Sequence, residues 1–336
     1  MILLTGATGM LGAHIALELL RSGEAVRGLK RGQSSTAVAK SVFAHYGDEA
    51  LFEKMEWATG DVLDMQSLED ALQGVHKVVH AAALVSFDPK ERNALWRTNG
   101  EGTANVVNAA LFCGVERLVH ISSIAALGGN EFGAVIDEEA WWKNAPGNTQ
   151  YAISKYNAER EVWRGMEEGL NAIILNPSYV IGPGDATRSS NVIFPIARKG
   201  TSWFTEGVTG YVDARDVAAA VRWALHCNRS AERFIINAEN ITYRRFLDYL
   251  MQQFGHQPTR RALKPWMTSL AWRAEKLLRM FGRKPSLTRE TARVLHTVNR
   301  FGGGKLAEAM PLHYRSVEEA VKNAVPFYIT SLSQPH

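Results

Sequence analysis

The sequence predicts an α/β fold, a doubly wound parallel sheet with a smaller, mostly helical C-terminal lobe. Three observations carry that expectation. Short apolar runs alternate with amphipathic stretches through the first half of the chain, the pattern of repeated βα units on a parallel sheet. A glycine-rich turn stands directly after the first apolar run. The 336 residues are more than one common domain needs, which leaves room for a sheet domain and an appended cap. With 46% hydrophobic and 21% charged residues, the composition is that of a globular protein and excludes disordered, collagen-like and coiled-coil classes.

Taken in order, strands are expected at residues 2–5, 25–30, 55–59, 77–80, 117–121, 172–176 and 234–237. Helical spacing fills 11–20, 67–72, 102–112, 152–166 and 217–226. After the sixth strand the pattern breaks into a Gly/Pro-rich loop over 176–185 and an irregular stretch to about Gly210, where the chain leaves the sheet. It returns through 211–226 and the last strand, then departs near Ile241 for a basic, tryptophan-bearing helical tail. Residues 1–176 and 211–240 are therefore read as the sheet domain, and 177–210 and 241–336 as a second lobe. Gly302-Gly303-Gly304 reads as a local turn.

Charge and cysteine usage narrow the class further. Cys113 and Cys227 cannot build a disulfide framework and stand in no metal-ligand spacing, so no metal is expected and a reducing cytoplasm is the default location. No stretch reaches the ~18 apolar residues of a membrane span, and the apolar start at Met1 runs into a glycine loop too soon for a signal peptide. The net charge is +4, but residues 257–300 hold eleven Lys/Arg against Glu275 and Glu290. That segment has no nucleic-acid reader motif, so no nucleic-acid partner is expected. A solvated helix face is the favoured reading and membrane-surface contact the lesser one.

The turn Thr5-Gly6-Ala7-Thr8-Gly9-Met10-Leu11-Gly12 follows the first strand and opens a helix, the setting of a dinucleotide-binding phosphate loop. Gly6 permits the tight turn, Gly9 lets backbone approach a pyrophosphate, and Gly12 allows close helix–strand packing. The helix N-terminus presents free N–H groups and a positive dipole end to the anion. The sheet domain is thus expected to be a Rossmann fold, with the second lobe binding substrate. At the end of the second strand, Lys30-Arg31 stands where a carboxylate would select NAD(H). NADP(H) is favoured, with NAD(H) as the alternative; Arg31 is the first candidate for the 2′-phosphate, and Lys30, Ser34 and Ser35 are helpers.

Tyr151 and Lys155 stand four residues apart on one helix face, so an ammonium can act on a phenol whose ordinary pKa is near 10. Ser122 and Ser123 end the fifth strand, where a hydroxyl can polarise a carbonyl oxygen. His80, at the end of the fourth strand, is read as a packed strand-end histidine.

These motifs together resemble the short-chain dehydrogenase/reductase superfamily, in its Gly-x-x-Gly-x-x-Gly spacing, its Ser123–Tyr151–Lys155 set and the Asn99-Gly100-Glu101-Gly102-Thr103 segment. The stretches 176–185, 211–218 and 305–320 are similar to the extended branch, the NAD-dependent epimerase/dehydratase superfamily. The resemblance implies that Asp61 and Val62 contact the adenine, that Ala81, Ala82 and Ala83 let the cofactor lie against backbone, and that Pro177 and Val180 touch the nicotinamide end. It also implies that Ser123, with Ser122 as the alternate, polarises the carbonyl oxygen, that Lys155 holds the nicotinamide ribose and that Asn99 holds backbone, a relay water or a helix near the lysine, and it leaves a homodimer open.

Three features choose among reactions. Ile124-Ala125 replaces the acid and base of sugar-nucleotide dehydratases. Gly207-Val208-Thr209-Gly210 lacks the arginine that grips a nucleotide diphosphate in epimerases, with Arg188, Arg198 and Lys199 as the candidate substitutes. The tail, with Trp266, Trp272, Leu277, Leu278, Met280 and Phe281 before Pro285, looks more like the dihydroflavonol-reductase and 3β-hydroxysteroid-dehydrogenase subgroup, and its aromatics are read as core. Of the pair Trp141-Trp142, one is expected to wall the substrate pocket, with Trp203 and Phe204 as comparable candidates. The reading is an NADP(H)-dependent reductase or dehydrogenase acting on a carbonyl or secondary alcohol of a small-to-medium, partly apolar molecule. An NAD-dependent sugar-nucleotide epimerase and a non-catalytic nucleotide-binding protein are the alternatives.

Overall fold

A computed structural model describes residues 1–128, 134–145, 147–278, 287–311 and 313–331. Met280, Phe281 and Pro285 of the expected tail lie outside the described residues. Seven strands form the central sheet: β1 (Ile2–Thr5), β2 (Val26–Lys30), β3 (Glu56–Thr59), β4 (Lys77–His80), β5 (Arg117–Ile121), β6 (Ala172–Pro177) and β7 (Glu232–Ile236). Their order is β7-β6-β5-β4-β1-β2-β3, and every pairing is parallel. This is the doubly wound arrangement, with the strand order reversing between β1 and β4.

The sheet is covered on both faces, which explains why β1, β5 and β6 are buried throughout. Successive side chains point to opposite sides. Leu4, Val79, Val119 and Ile173 join one core with the helices Met10–Arg21 and Ala214–His226. Leu3, Val78, Leu118 and Ile174 join a second core with Gly102–Phe112 and Val162 of Gln150–Glu167.

Strand and helix positions follow the sequence pattern to within a few residues, and the departures fall where elements are short. Ala37–His45 is a helix that buries Ala39, Val42 and Phe43, and the sequence reading placed no element there. A second sheet joins Val208–Asp213 to Tyr179–Ile181 in parallel and to Glu239–Thr242 antiparallel. Tyr211 therefore belongs to this small sheet, and the chain regains the central sheet only at β7.

A separate core gathers Ile181, Phe194, Tyr211, Phe246, Leu250, Val321 and Tyr328 around the C-terminal helix Val317–Ser331. The helix Pro265–Leu278 packs differently from expectation: Trp266 is 64% exposed and is not core, and Leu270 on the same helix is also exposed. Among the described side chains of this helix Thr268 is buried, and its hydroxyl meets His296 Nε2 at 2.9 Å. Gly302 and Gly303 lie in the turn between the strand Arg300–Phe301 and the helix Gly304–Ala309.

Candidate active site

The glycine loop lies at the carboxyl end of β1, in the crevice where strand order reverses. Gly6 has φ +72°, and a Cβ there would sit 2.7 Å from the backbone of Ala81 and Ala82, so both conformation and space demand glycine. A Cβ on Gly12 would lie 2.2 Å from Gly6 O, which makes the loop and the first helix turn one packed unit. Gly9 N–H donates to Gly6 O at 3.0 Å, and Gly9 itself is exposed. No side chain caps the helix Met10–Arg21 at Gly9 and no acid occupies its first turn. Its leading N–H groups are thus free for an anion.

Neighbouring loops frame this opening. Thr8, Met10 and Leu11 are partly exposed along it. A side chain at Gly184 would strike Met10 Cβ at 2.5 Å, so the loop after Tyr179–Ile181 folds against the helix start. His80 is held by a hydrogen-bond chain whose polarity can be read from its end. Thr103 Oγ1 donates to Asn99 O (2.6 Å), so it accepts from His80 Nε2 (2.9 Å); Nδ1 then accepts from Thr5 Oγ1 (2.8 Å), which accepts from Ala82 N (3.1 Å). Burial first, then the Lys155 charge, lowers the His80 pKa to about 3, and the ring is neutral and structural as the sequence reading held.

Thr149 caps the helix Gln150–Glu167 by accepting from Ala152 N at 3.0 Å, which sets the first turn that carries Tyr151. Ser123 lies at the end of β5 and caps the short 3-10 turn Ile124–Leu127 by accepting from Ala125 N at 3.1 Å. Its hydroxyl faces the Tyr151 phenol: burial raises the phenol's pKa above 10, and Ser123 acts in the opposite direction. Phe87 stands edge-on to Tyr151 at 5.9 Å. Lys155 is 2% exposed and donates to Ile121 O at 2.8 Å. Burial lowers its pKa to about 8, with Glu159 pulling it upward.

The Lys155 ammonium meets the strand-end carbonyl of Ile121. A buried ammonium must find an acceptor, and that carbonyl supplies one. Asn99 holds backbone and helix together: it accepts from Leu84 N (2.7 Å) and donates to Leu84 O and Ser154 Oγ (2.9 Å each).

With this geometry in view, comparison with known proteins is decisive. The profile of the NAD dependent epimerase/dehydratase family matches residues 2–238. The chain belongs to that family. It is 30% identical over 331 residues to a putative dihydroflavonol 4-reductase of Synechocystis, covering 96% of this chain and 93% of that one. It is 32% identical over 333 residues to the sterol demethylase protein B of Methylococcus capsulatus, covering 97% of each. The crystal structure of gox2253 superposes with a TM-score of 0.82 at 31% identity, over 98% of both chains. The protein is an NAD(P)-dependent enzyme of the extended short-chain dehydrogenase/reductase type.

The family's cofactor fits the residues present. The uncapped helix start at Gly9 suits a pyrophosphate, and the backbone from Gly6 to Ala82 is packed too tightly for any side chain to fill the cradle. Ala81 and Ala82 are half-buried and Ala83 is exposed along it. Asp61 Oδ1 accepts from Leu63 N (3.0 Å), and its other oxygen takes no hydrogen bond among the described residues. Val62 is buried, with its carbonyl bonded by Asn105. Arg31 is exposed and forms no ion pair among the described residues, while Ser35 is occupied in bonding Ala37 N (3.1 Å). At the other end, Pro177 closes β6 against Ile236, and half-buried Val180 accepts from Ser190 Oγ.

Around the site, Trp142 stacks on Tyr156 at 4.5 Å and lies 3.6 Å from where a Gly128 Cβ would be. Trp141 is 87% exposed, so Trp142 is the inward member of the pair. Trp203 is partly exposed under the Arg261 guanidinium, and Phe204 is buried. Glu159, Asn176, Arg233 and Phe87 escaped the sequence reading. For Glu159 a signal existed, since it continues the four-residue spacing of Tyr151 and Lys155. Among the described residues, no group of three or more His, Cys, Asp or Glu is placed to hold a metal ion, and no helix is long and apolar enough to cross a membrane.

Proposed function

We propose that the protein is an NADP(H)-dependent reductase of a carbonyl, or dehydrogenase of the matching secondary alcohol, on a small-to-medium and partly apolar molecule. The observation that carries this reading is the meeting of Ser123 and Tyr151 at the open carboxyl edge of the sheet, with Lys155 buried behind them. A bound nicotinamide supplies or accepts the hydride. Ser123 accepts from Ala125 N and turns its O–H toward the Tyr151 phenol, so a substrate oxygen beside both hydroxyls can take that donor. Tyr151 delivers or removes the proton on that oxygen. Lys155 keeps a positive charge at the base of the pair and holds the nicotinamide ribose.

Arg31, with Lys30 beside it, is the proposed 2′-phosphate contact, and the lobe formed by 177–210 and 241–336 is the proposed substrate lobe. Phe87 gives the surroundings of Tyr151 an aromatic character. The names of the relatives, a dihydroflavonol reductase, a sterol-processing protein and cinnamoyl-CoA reductases, support a ring-bearing, partly apolar substrate. The epimerase reading loses support from packing: a Cβ at Gly210 would lie 2.2 Å from Asn237 Oδ1, and one at Gly207 would lie 2.6 Å from Leu295 O. Neither position has room for a diphosphate-gripping arginine.

The test is to follow NADPH and NADH consumption by the purified protein against aromatic and alicyclic aldehydes and ketones. The reading predicts turnover with NADPH preferred. Cofactor retained through purification, with sugar-nucleotide interconversion and no net oxidation, would replace it by the epimerase reading.

A further inference from the structure

We infer that Glu159 is a positioning residue for Lys155, its buried carboxylate holding the lysine charged and seated at the end of β5. This rests on the role given to Lys155 above. Both side chains are 2% exposed, and they stand one turn apart on the face that also carries Tyr151. Burying an ammonium is costly unless a charge and hydrogen bonds answer it. Ile121 O answers one N–H.

Among the described residues, the groups that face Lys155 from other elements are neutral. His80 on β4 and His120 on β5 both sense its charge and are neutral through burial, and neither ring nitrogen of His120 has a hydrogen-bond partner among the described residues. Tyr151 is a neutral phenol. Glu159 is therefore the acid that pulls the ammonium toward its charged form.

The surroundings of Glu159 are built for its ionised state. Asn176 Nδ2 donates to Oε1 at 2.5 Å, the Arg233 guanidinium lies 3.6 Å from Oε2, and Ser122 is beside it. Burial raises its pKa, while Ser122, Asn176, Arg233 and Lys155 all act to lower it. Asn176 Nδ2 also donates to Ser123 O at 3.0 Å, so one amide ties the acid to the backbone of the serine that faces Tyr151. Arg233 spends its other N–H groups on Glu138 O and Ala140 O at 2.7 Å each, which fixes it from the side of the Trp141–Trp142 segment.

The experiment compares wild type, Glu159→Gln and Glu159→Asp by two readouts: the pH profile of kcat/KM, and the titration of Lys155 Nζ by ¹⁵N NMR in cofactor-free protein. In Glu159→Gln the Lys155 midpoint and the basic limb of the profile should move down by one pH unit or more, and Glu159→Asp should restore most of that shift. Loss of stability in both variants with no movement of the Lys155 midpoint would overturn the inference. If wild type shows no reductase activity, the functional reading fails, and the NMR titration still decides the role of Glu159.

Discussion

Ser123, Tyr151 and Lys155 differ in what each can do, and the differences are measurable one residue at a time. Ser123→Ala removes a donor to the substrate oxygen and should lower kcat by roughly 10²-fold, the usual loss for one such donor, while freeing Ala125 N–H of its partner. Lys155 is charged below about pH 8, so activity should fall as pH rises through that value; a flat rate from pH 7 to 10 would count against its role. Arg31→Ala should weaken NADPH by roughly ten- to a hundredfold, the scale of a charged hydrogen bond, and leave NADH unchanged; equal losses with both would remove Arg31 from the phosphate site. These residues were legible because helical spacing and strand ends place them without knowledge of tertiary contacts. Glu159, Asn176 and Arg233 were not, because their meeting depends on β5, β6 and β7 lying side by side with a helix across them.

At the scale of single elements, the strand–loop–helix unit at residues 2–21 is the most constrained. Gly12→Val would force a side chain into Gly6 O, where a Cβ already comes within 2.2 Å. It should abolish cofactor binding and cost about 1–3 kcal/mol of stability, as overpacking does, measured by NADPH titration and urea unfolding. Gly9→Ala meets only Gly6 O at 3.4 Å and should fold normally; its loss should appear in cofactor affinity alone. Elements with long periodic patterns, such as Met10–Arg21 and Ala214–His226, were readable because one face is mostly apolar over several turns. The small sheet was not, since Tyr179–Ile181 and Glu239–Thr242 are only three and four residues long and each pairs with Val208–Asp213 across an intervening stretch of chain that holds other elements. Trp266 misled for a related reason: helical spacing predicts an apolar stripe but not whether anything covers it.

For the molecule as a whole, three buried histidines couple the fold to pH. Burial lowers His14 to about 4 and His80 to about 3, and sets His120 well below its ordinary 6.5. The unfolded chain takes up protons below pH 6.5 that the folded chain cannot, so their contribution is complete above that value and is lost as pH falls toward 4. Each group removes about 1.4 kcal/mol per pH unit within that window. Urea unfolding at pH 7 and pH 5 should therefore show a drop of several kcal/mol, and equal stabilities would contradict the burial of these rings. Above this framework sits the central claim, that the edge shared by the glycine loop, Ser123 and Tyr151 performs reduction. Its most direct test is kcat/KM for NADPH-dependent reduction of a carbonyl substrate by wild type and Tyr151→Phe, with melting temperature measured beside it. The predicted result is a loss of roughly 10²- to 10⁴-fold, the range for removing a general acid, at an unchanged melting temperature; an undiminished rate in Tyr151→Phe would contradict the claim.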